Sequence, residues 1–136
     1  MVENNGYAMG TELERQSFFT DMSKRGDGVG MLRWQFGGLD VVEVYNNVRK
    51  AVEHARSGKG PVILEAVTYR YRGHSMSDPA KYRKKGELEE KKAQDCIKRA
   101  GDLLMAEHGV EQSELCLLYT SPSPRDVEES RMPSSA

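Results

Sequence analysis

The chain has 136 residues, of which 38% are hydrophobic and 30% charged, and its formal net charge is −1. This length predicts one domain, and the near-neutral charge gives no electrostatic argument for nucleic acid or an anionic membrane as a partner. The apolar runs are far shorter than the roughly 20 residues of a bilayer span, and the two cysteines, Cys96 and Cys116, have neither metal-ligand spacing nor a disulfide framework.

The first third of the chain is rich in turn residues. Residues 1–10 predict the end of a strand that runs into a polar turn, and this abrupt start is typical of a fragment of a longer protein. Thr11 and Glu14 have the spacing of a capping box, which predicts a short helix over residues 12–24. Residues 26–39 contain five glycines and no clear period, so they predict a long loop.

A helix and a strand are predicted in the middle of the chain. Asp40 and Glu43 form a second capping box, and the apolar stripe behind it consists of Val41, Val44, Tyr45, Val48, Val52 and Ala55. Gly58 and Gly60-Pro61 end this helix, and residues 61–69 are typical of a buried strand. A helix followed by a buried strand is half of a βαβ unit, and we expect the N-terminal strand to be its first strand.

The last third is predicted to be helical and then disordered. The mixed charges of residues 82–92 predict a solvated helical face, and an apolar stripe from Cys96 to Leu104 predicts a helix that His108-Gly109 closes. Another helix is expected to begin within residues 111–115. From Cys116 the chain becomes rich in serine and proline. We therefore interpret residues 1–115 as a partial α/β domain and residues 116–136 as a disordered or non-native tail.

Two segments carry candidate functional residues. Residues 68–79 follow the predicted strand and contain two arginines, a histidine and several hydroxyls, which suit an anionic ligand such as a phosphate at the carboxyl edge of a sheet. A solvated surface loop is the alternative. In Asn4-Asn5-Gly6-Tyr7, an amide oxygen and a carbonyl two residues later are ligand types that Mg²⁺ selects, and a plain Asx-turn is the alternative.

Four segments in one order carry a resemblance to a known family. They are residues 4–11, Lys-Arg-Gly at 24–26, Ser-Gly-Lys-Gly-Pro at 57–61, and Thr-Tyr-Arg-Tyr-Arg-Gly-His-Ser-Met-Ser-Asp-Pro at 68–79. Over residues 1 to about 115 the chain resembles the alpha subunit of the thiamine-diphosphate-dependent component of pyruvate dehydrogenase complexes. Its sequence is similar to those of the bacterial members. The resemblance implies part of a doubly wound, mainly parallel-sheet α/β fold, followed by C-terminal helices. The branched-chain 2-oxoacid and acetoin dehydrogenase alpha subunits share this plan and stay as alternatives.

The resemblance also implies roles for four residues. Asn5 would give its side-chain oxygen, and Tyr7 its backbone carbonyl, to the Mg²⁺ that bridges thiamine diphosphate. His74 would be the catalytic residue near the diphosphate, and Arg70 would support the same loop and contact the cofactor. The implied activity is oxidative decarboxylation of pyruvate with acetyl transfer to lipoyl groups.

The implied partners are a beta subunit in a heterotetramer, the lipoyl-bearing acyltransferase of the complex and a 2-oxoacid substrate, with neither nucleic acid nor a membrane. The implied location is the cytoplasm in bacteria, or the mitochondrial matrix in a eukaryote.

Three departures from the family pattern affect these expectations. The family's Gly-Asp-Gly, which supplies a carboxylate to Mg²⁺, precedes the asparagines, whereas Gly26-Asp27-Gly28 follows them and is interpreted as a loop. The chain therefore contains part of a cofactor pocket, and a noncatalytic fragment is a further hypothesis. Gly37 replaces an aspartate, which changes the expected local loop, and Cys96 replaces a proline, which predicts that the helix runs on through this position.

Overall fold

Three short parallel strands form the sheet that positions the candidate site. The computed structural model describes residues 1–121. Its elements are, in chain order, β1 (Val2–Asn4), β2 (Tyr7–Ala8), β3 (Thr11–Glu12), α1 (Leu13–Gln16), a 3₁₀ helix (Met22–Val29), β4 (Leu32–Gly37), α2 (Val41–Arg56), β5 (Val62–Val67), α3 (Glu87–Lys92), α4 (Cys96–His108) and α5 (Gln112–Thr120). The predicted α/β class with a parallel sheet is confirmed.

The central strand of the sheet is β5, with β1 on one side and β4 on the other. Asn4 and Gly37 both pair with Val67, so the three strands end at the same level. The ladder continues for one more residue on each side, since the Thr68 N–H donates to the Asn4 carbonyl and the Gly38 N–H donates to the Val67 carbonyl, both at 2.8 Å. Segments after the strands therefore start together at the carboxyl edge, where ligands of parallel sheets bind.

The βαβ unit begins at β4, and the prediction that β1 is its first strand is wrong. Residues 32–37 lie in the range predicted to be a loop, yet they pair with β5 over six residues, from Leu32 opposite Val62 to Gly37 opposite Val67. Helix α2 then leads from β4 back to β5. Trp34 and Phe36, two residues apart, both pack into the core, as alternate residues of a strand do. The glycines of this segment concealed that alternation in the sequence.

Helix α2 begins at the predicted cap. The Asp40 carboxylate accepts hydrogen bonds from the backbone N–H groups of Val42 at 2.9 Å and Glu43 at 3.1 Å. The Glu43 carboxylate does not close the predicted capping box, because it accepts from the Gly37 N–H at 2.9 Å. A Cβ atom at Gly37 would lie 2.8 Å from this carboxylate, so the glycine leaves room for the contact.

The core lies between α2 and the sheet. Its buried members are Phe36, Ala51, Leu64 and Ala66, with Trp34, Val44, Val48 and Val62 partly buried against them. The predicted stripe is right for Val44 and Val48. Its other members are exposed, namely Val41, Tyr45, Val52 and Ala55, and the buried residue of the helix is Ala51. Alanine is the residue that lets a helix approach a sheet closely, and its small size weakens its signal in a hydrophobicity pattern.

The helix predicted over residues 12–24 does not form as one element. Thr11 pairs with Ala8 in the β2–β3 hairpin, so it is not free to cap a helix, and α1 has only four residues. Asp21 instead caps the 3₁₀ helix by accepting a hydrogen bond from the Ser23 N–H at 3.0 Å. The 3₁₀ helix contains Gly26-Asp27-Gly28.

Two helices predicted to merge at Cys96 are separate. Helix α3 ends at Lys92, and the Asp95 carboxylate starts α4 by accepting hydrogen bonds from the N–H groups of Ile97 at 2.9 Å and Lys98 at 3.2 Å. An aspartate in this position favours a new helix start over continuation, because its side chain competes for the backbone donors.

Within the described residues, 101–121 belong to a second unit. Helix α4 ends at His108 as predicted, and Gly109 adopts the left-handed conformation with φ +65°. Helix α5 begins with a reciprocal capping box between Glu111 and Glu114. The predicted tail boundary at Cys116 falls within this helix, and residues 122–136 lie outside the described range. None of the helices in residues 1–121 has the length and apolar character to cross a bilayer.

Candidate functional site

One cavity brings together all four of the predicted site residues. Asn5 and Tyr7 follow β1, and Arg70 and His74 follow β5, so the two segments leave neighbouring strands at the same edge of the sheet. The cavity has a volume of 310 Å³ and is lined by Asn5, Tyr7, Ala8, Met9, Arg70, His74, Tyr82 and Arg83. It joins a turn at one end of the chain to a loop more than sixty residues away.

The turn after β1 is held by hydrogen bonds on both asparagines. The Gly6 N–H donates to Oδ1 of Asn4 at 2.9 Å, which is the Asx-turn foreseen as an alternative. Oδ1 of Asn5 accepts a hydrogen bond from the Thr68 hydroxyl at 3.0 Å. An amide oxygen has two lone pairs, so the Asn5 oxygen can keep this bond and still accept from a second group.

Arg70 and His74 contact each other within the loop. Nη1 of Arg70 lies 3.2 Å from Nδ1 of His74. A guanidinium only donates hydrogen bonds, so Nδ1 is the acceptor and Nε2 carries the N–H of the ring. The histidine is therefore presented as a donor through Nε2.

Asp78 organises the turn that carries His74. Its carboxylate accepts hydrogen bonds from the His74 N–H, the Ala80 N–H and the Tyr82 hydroxyl, all at 2.8 Å. The bond from the His74 N–H is the main cause that holds the pKa of Asp78 below its ordinary value. A Cβ atom at Gly73 would lie 2.6 Å from the Asp78 carbonyl oxygen, so only glycine allows the turn to close this tightly.

Arg83 stabilises the loop after β5 through hydrogen bonds to its backbone carbonyls. Its guanidinium donates to the backbone carbonyls of Arg70 at 2.6 Å, Tyr71 at 2.7 Å and Arg72 at 2.9 Å, and it lies 5.0 Å from the Tyr69 ring centroid. Its Nε atom is buried and has no hydrogen-bond partner within residues 1–121. The prediction of a solvated face for residues 82–92 is wrong for Arg83. Tyr82, the aromatic residue beside it, was the sequence signal that this part of the charged run differs from the rest.

Glu87 links the turn and the loop. Its carboxylate accepts hydrogen bonds from the Tyr7 hydroxyl at 2.9 Å, the Tyr69 hydroxyl at 2.9 Å and the Lys84 N–H at 3.1 Å. Burial, followed by the hydrogen bond to Glu87, raises the pKa of Tyr7 and of Tyr69 to about 12. This residue also lies in the stretch predicted to be a solvated face, and that prediction is wrong for it.

The donor types in the cavity suit an anion that carries a metal ion. Arg70 and Arg83 contribute positive charge, while Asn5 and Tyr7 contribute neutral oxygen atoms. Residues 1–121 contain no group of three or more histidine, cysteine, aspartate or glutamate side chains that could hold a metal. Asp27 of Gly26-Asp27-Gly28 is paired with Arg33 at 2.6 Å. Among residues 1–121, no cluster of this kind accompanies the oxygens of Asn5 and Tyr7.

Comparison with known proteins identifies the family. A sequence model described as the dehydrogenase E1 component matches residues 1–129. The chain belongs to the dehydrogenase E1 component family. This membership confirms the family that residues 4–11 and 68–79 indicate, while the roles of Asn5, Tyr7, Arg70 and His74 stay predictions.

Among the relatives are pyruvate dehydrogenase E1 component alpha subunits from bacteria and a mammal. The chain is 56% identical over 94 residues to that of Rhizobium meliloti, a match covering 69% of the chain and 27% of the relative. It is 47% identical over 122 residues to that of Zymomonas mobilis, a match that covers 87% of the chain and 33% of the relative. It is 48% identical over 91 residues to the somatic mitochondrial form of Sus scrofa, a match that covers 66% of the chain and 23% of the relative. The chain thus spans about a quarter to a third of the length of these E1 relatives.

Proposed function

We propose that this chain is part of a pyruvate dehydrogenase alpha subunit and that the cavity between Asn5 and His74 binds thiamine diphosphate with Mg²⁺. The observation that supports this most is the joining of Asn5, Tyr7, Arg70 and His74 in one cavity at the carboxyl edge of a parallel sheet. The names of the relatives favour pyruvate as the 2-oxoacid over a branched-chain substrate or acetoin.

The residues present fit the charge of this cofactor. A diphosphate needs cationic donors, and two arginines line the cavity. The Nε–H of Arg83 has no partner among the residues described, which is unusual for a buried donor. The neutral oxygens of Asn5 and Tyr7 hold Mg²⁺ only together with a carboxylate and phosphate oxygens, so the site is completed by groups outside this chain segment.

Each residue has a distinct part in the proposed site. Asn5 and Tyr7 would hold the metal through the side-chain oxygen and the backbone carbonyl. When bound, thiamine diphosphate supplies the carbon nucleophile and the electron sink that decarboxylation of a 2-oxoacid requires. Arg70 would neutralise charge and orient His74, whose Nε2–H is then the donor available to an anionic oxygen in the cavity.

The proposed whole protein works in an assembly. The chain covers 27% and 33% of the length of two of its relatives, and we propose that the whole protein binds a beta subunit in a heterotetramer and a lipoyl-bearing acyltransferase that receives the acetyl group. The proposed compartment is the bacterial cytoplasm.

A chimera tests the proposal. The matched 94 residues of the Rhizobium meliloti alpha subunit are replaced by those of this chain, and the product is co-expressed with the corresponding beta subunit. Asn5→Ala should raise the dissociation constant of thiamine diphosphate and Mg²⁺, measured by calorimetry, about tenfold or more, as loss of a metal ligand does. Asn46→Ala, on the exposed face of α2, is the matched control and should leave it unchanged.

Two results would count against the proposal. An Asn5→Ala chimera with unchanged cofactor affinity would remove the metal role of the turn. An unsubstituted chimera that assembles but shows no cofactor-dependent decarboxylation of pyruvate would favour the alternative of a noncatalytic fragment.

A further inference from the structure

A fully buried carboxylate lies on the central strand of the sheet, outside the lining of the candidate site. Glu65 is in the central strand β5, between the buried residues Leu64 and Ala66, and its relative exposure is 0%. A buried carboxylate is unfavourable unless hydrogen bonds replace its water. The proposed function assigns no role to Glu65. Its role is inferred from its hydrogen-bond partners.

Each oxygen of Glu65 accepts a hydrogen bond from a different segment. Oε1 accepts from Nδ2 of Asn4 at 2.6 Å, and Oε2 accepts from the backbone N–H of Ser23 at 2.9 Å. The same Asn4 side chain uses Oδ1 to accept from the Gly6 N–H at 2.9 Å. A continuous path of hydrogen bonds therefore runs from the buried carboxylate through Asn4 to the turn that holds Asn5 and Tyr7.

We infer that Glu65 is a positioning residue that sets the orientation of the Asn4 amide and thereby holds the Asn4–Tyr7 turn in the form that presents Asn5 and Tyr7 to the cavity. The consequence for Mg²⁺ rests on the proposed function, whereas the consequence for the turn rests on the contacts alone. Groups behind the ligands of a metal commonly control its affinity by orienting those ligands.

The Asn4 amide depends on an acceptor at position 65. The Ser23 N–H is shared between Oε2 of Glu65 and Oδ1 of Asp21, so it keeps an acceptor when position 65 changes. A glutamine can keep its oxygen towards Asn4, whereas Glu65→Leu removes the acceptor and leaves Nδ2 of Asn4 with the 3.5 Å contact to the Thr20 carbonyl. The Asn4 amide can then rotate away from the Gly6 N–H, so the change reaches the turn.

The experiment uses the chimera described above and two measurements. The first is hydrogen exchange of the peptide that contains residues 4–7, followed by mass spectrometry without cofactor or metal. The second is the Mg²⁺ concentration that half-saturates decarboxylation. In Glu65→Leu we expect exchange in residues 4–7 to become about fivefold faster, as for one lost hydrogen bond, and half-saturation to need about tenfold more Mg²⁺.

Ser23→Ala is the matched control. It removes a buried hydroxyl that bonds to Asp21 and Arg33 in the same cluster, but it keeps the backbone N–H that donates to Glu65. It should lower the melting temperature and leave exchange in residues 4–7 and the Mg²⁺ requirement unchanged. A general loss of packing would move both variants together and would overturn the inference.

A double substitution tests the path through Asn4. Asn4→Ala alone should reproduce the faster exchange and the higher Mg²⁺ requirement, and adding Glu65→Leu should change neither further. Independent, additive effects would overturn the inference, and so would a Glu65→Leu chimera with unchanged exchange. If Glu65→Leu does not fold, Asn4→Ala reports on the same bond from the other partner. Absence of any Mg²⁺ dependence in the unsubstituted chimera would be a failure of the proposed function, and the exchange measurement would still decide the role of Glu65.

Discussion

The guanidinium of Arg70 lies 3.2 Å from Nδ1 of His74, and because a guanidinium only donates hydrogen bonds, this contact makes Nδ1 the acceptor. Because the arginine occupies Nδ1, the histidine is left with Nε2–H, a fixed donor in a cavity that also contains Arg83. Fixed donors of this kind stabilise developing negative charge because they are oriented before the reaction begins.

Removal of Arg70 should therefore lower turnover through His74. We expect Arg70→Met to reduce the kcat of the chimera about tenfold, because the ring loses its orientation, and His74→Ala to reduce it about 10²-fold or more, as for loss of one oriented donor. Arg72→Met removes the same charge from an exposed position of the same loop and is the control. Steady-state decarboxylation measures all three, and equal losses in Arg70→Met and Arg72→Met would contradict the argument.

The Thr68 hydroxyl should contribute to metal affinity. It donates to Oδ1 of Asn5 at 3.0 Å and so fixes the oxygen that is proposed to bind Mg²⁺. Thr68→Val keeps the shape and removes the donor, and we expect the dissociation constant of Mg²⁺ in the presence of thiamine diphosphate to rise about tenfold. Thr20→Val, at an exposed position before the 3₁₀ helix, is the control in the same calorimetric titration. Unchanged affinity in Thr68→Val would show that Asn5 needs no support.

The sequence predicted the two strands and the helix whose signals are local. The buried strand at 61–69 is continuous and β-branched, and the Asp40 cap lies beside the residues that it serves. Strand β4 was missed because the glycines around it made residues 26–39 look like a loop, although Leu32, Trp34 and Phe36 alternate with polar residues. Its pairing with β5, about thirty residues later, is what reveals the strand. The helix at 12–24 was overpredicted because the hairpin takes Thr11 into a strand.

The candidate site shows the same division between local and distant information. The resemblance named Asn5, Tyr7, Arg70 and His74, which line one cavity, and their roles stay predictions. It gave no indication of Glu65, because a glutamate within an apolar run has no meaning until the chain brings Asn4 and Ser23 to it. Side chains whose function is to orient others are recognised by their partners, and those partners are distant in the sequence.

Arg83 should be needed for an ordered loop, and lysine should not replace it. Its planar guanidinium reaches three carbonyls, those of residues 70, 71 and 72, with two separate nitrogen atoms, whereas the donors of a lysine all lie on one nitrogen atom at the end of a flexible stem. We expect Arg83→Lys to increase hydrogen exchange in residues 70–78 about tenfold, since more than one charged hydrogen bond is lost. Lys85→Arg, at an exposed position two residues on, is the control. Equal protection in Arg83→Lys and the unsubstituted chimera would show that the carbonyl contacts are dispensable.

The carboxyl of Asp78 should stabilise the His74 turn down to an unusually low pH. Its pKa lies below the ordinary value of 3.8, chiefly because the His74 N–H donates to the ionised form. A lowered pKa means that the stabilisation is complete above pH 3.8 and is lost as the pH falls through the lowered value. Tyr82→Phe removes one of the donors and should move this pKa back towards 3.8, while Tyr45→Phe on α2 should not. A ¹³C-carboxyl titration followed by NMR measures the shift, and an unchanged Asp78 resonance in Tyr82→Phe would contradict the assignment.

The contact between Glu87 and two tyrosines predicts how the turn and loop respond to alkaline pH. The pKa of Tyr7 and of Tyr69 is raised to about 12, first by burial and then by the hydrogen bond to Glu87. A raised pKa means that the stabilisation is complete below pH 10, the ordinary value for tyrosine, and is lost as the pH rises through about 12.

Glu87→Gln keeps an acceptor but removes the negative charge, so both tyrosines should ionise at lower pH, although burial should still hold their pKa values above 10. Absorbance at 295 nm follows tyrosinate formation in this chain of six tyrosines. Glu90→Gln, an exposed position on the same helix, should reproduce the unsubstituted curve. If the Glu87→Gln curve also coincides with it, the carboxylate does not hold the two phenols, and another contact must join the Tyr7 turn to the loop.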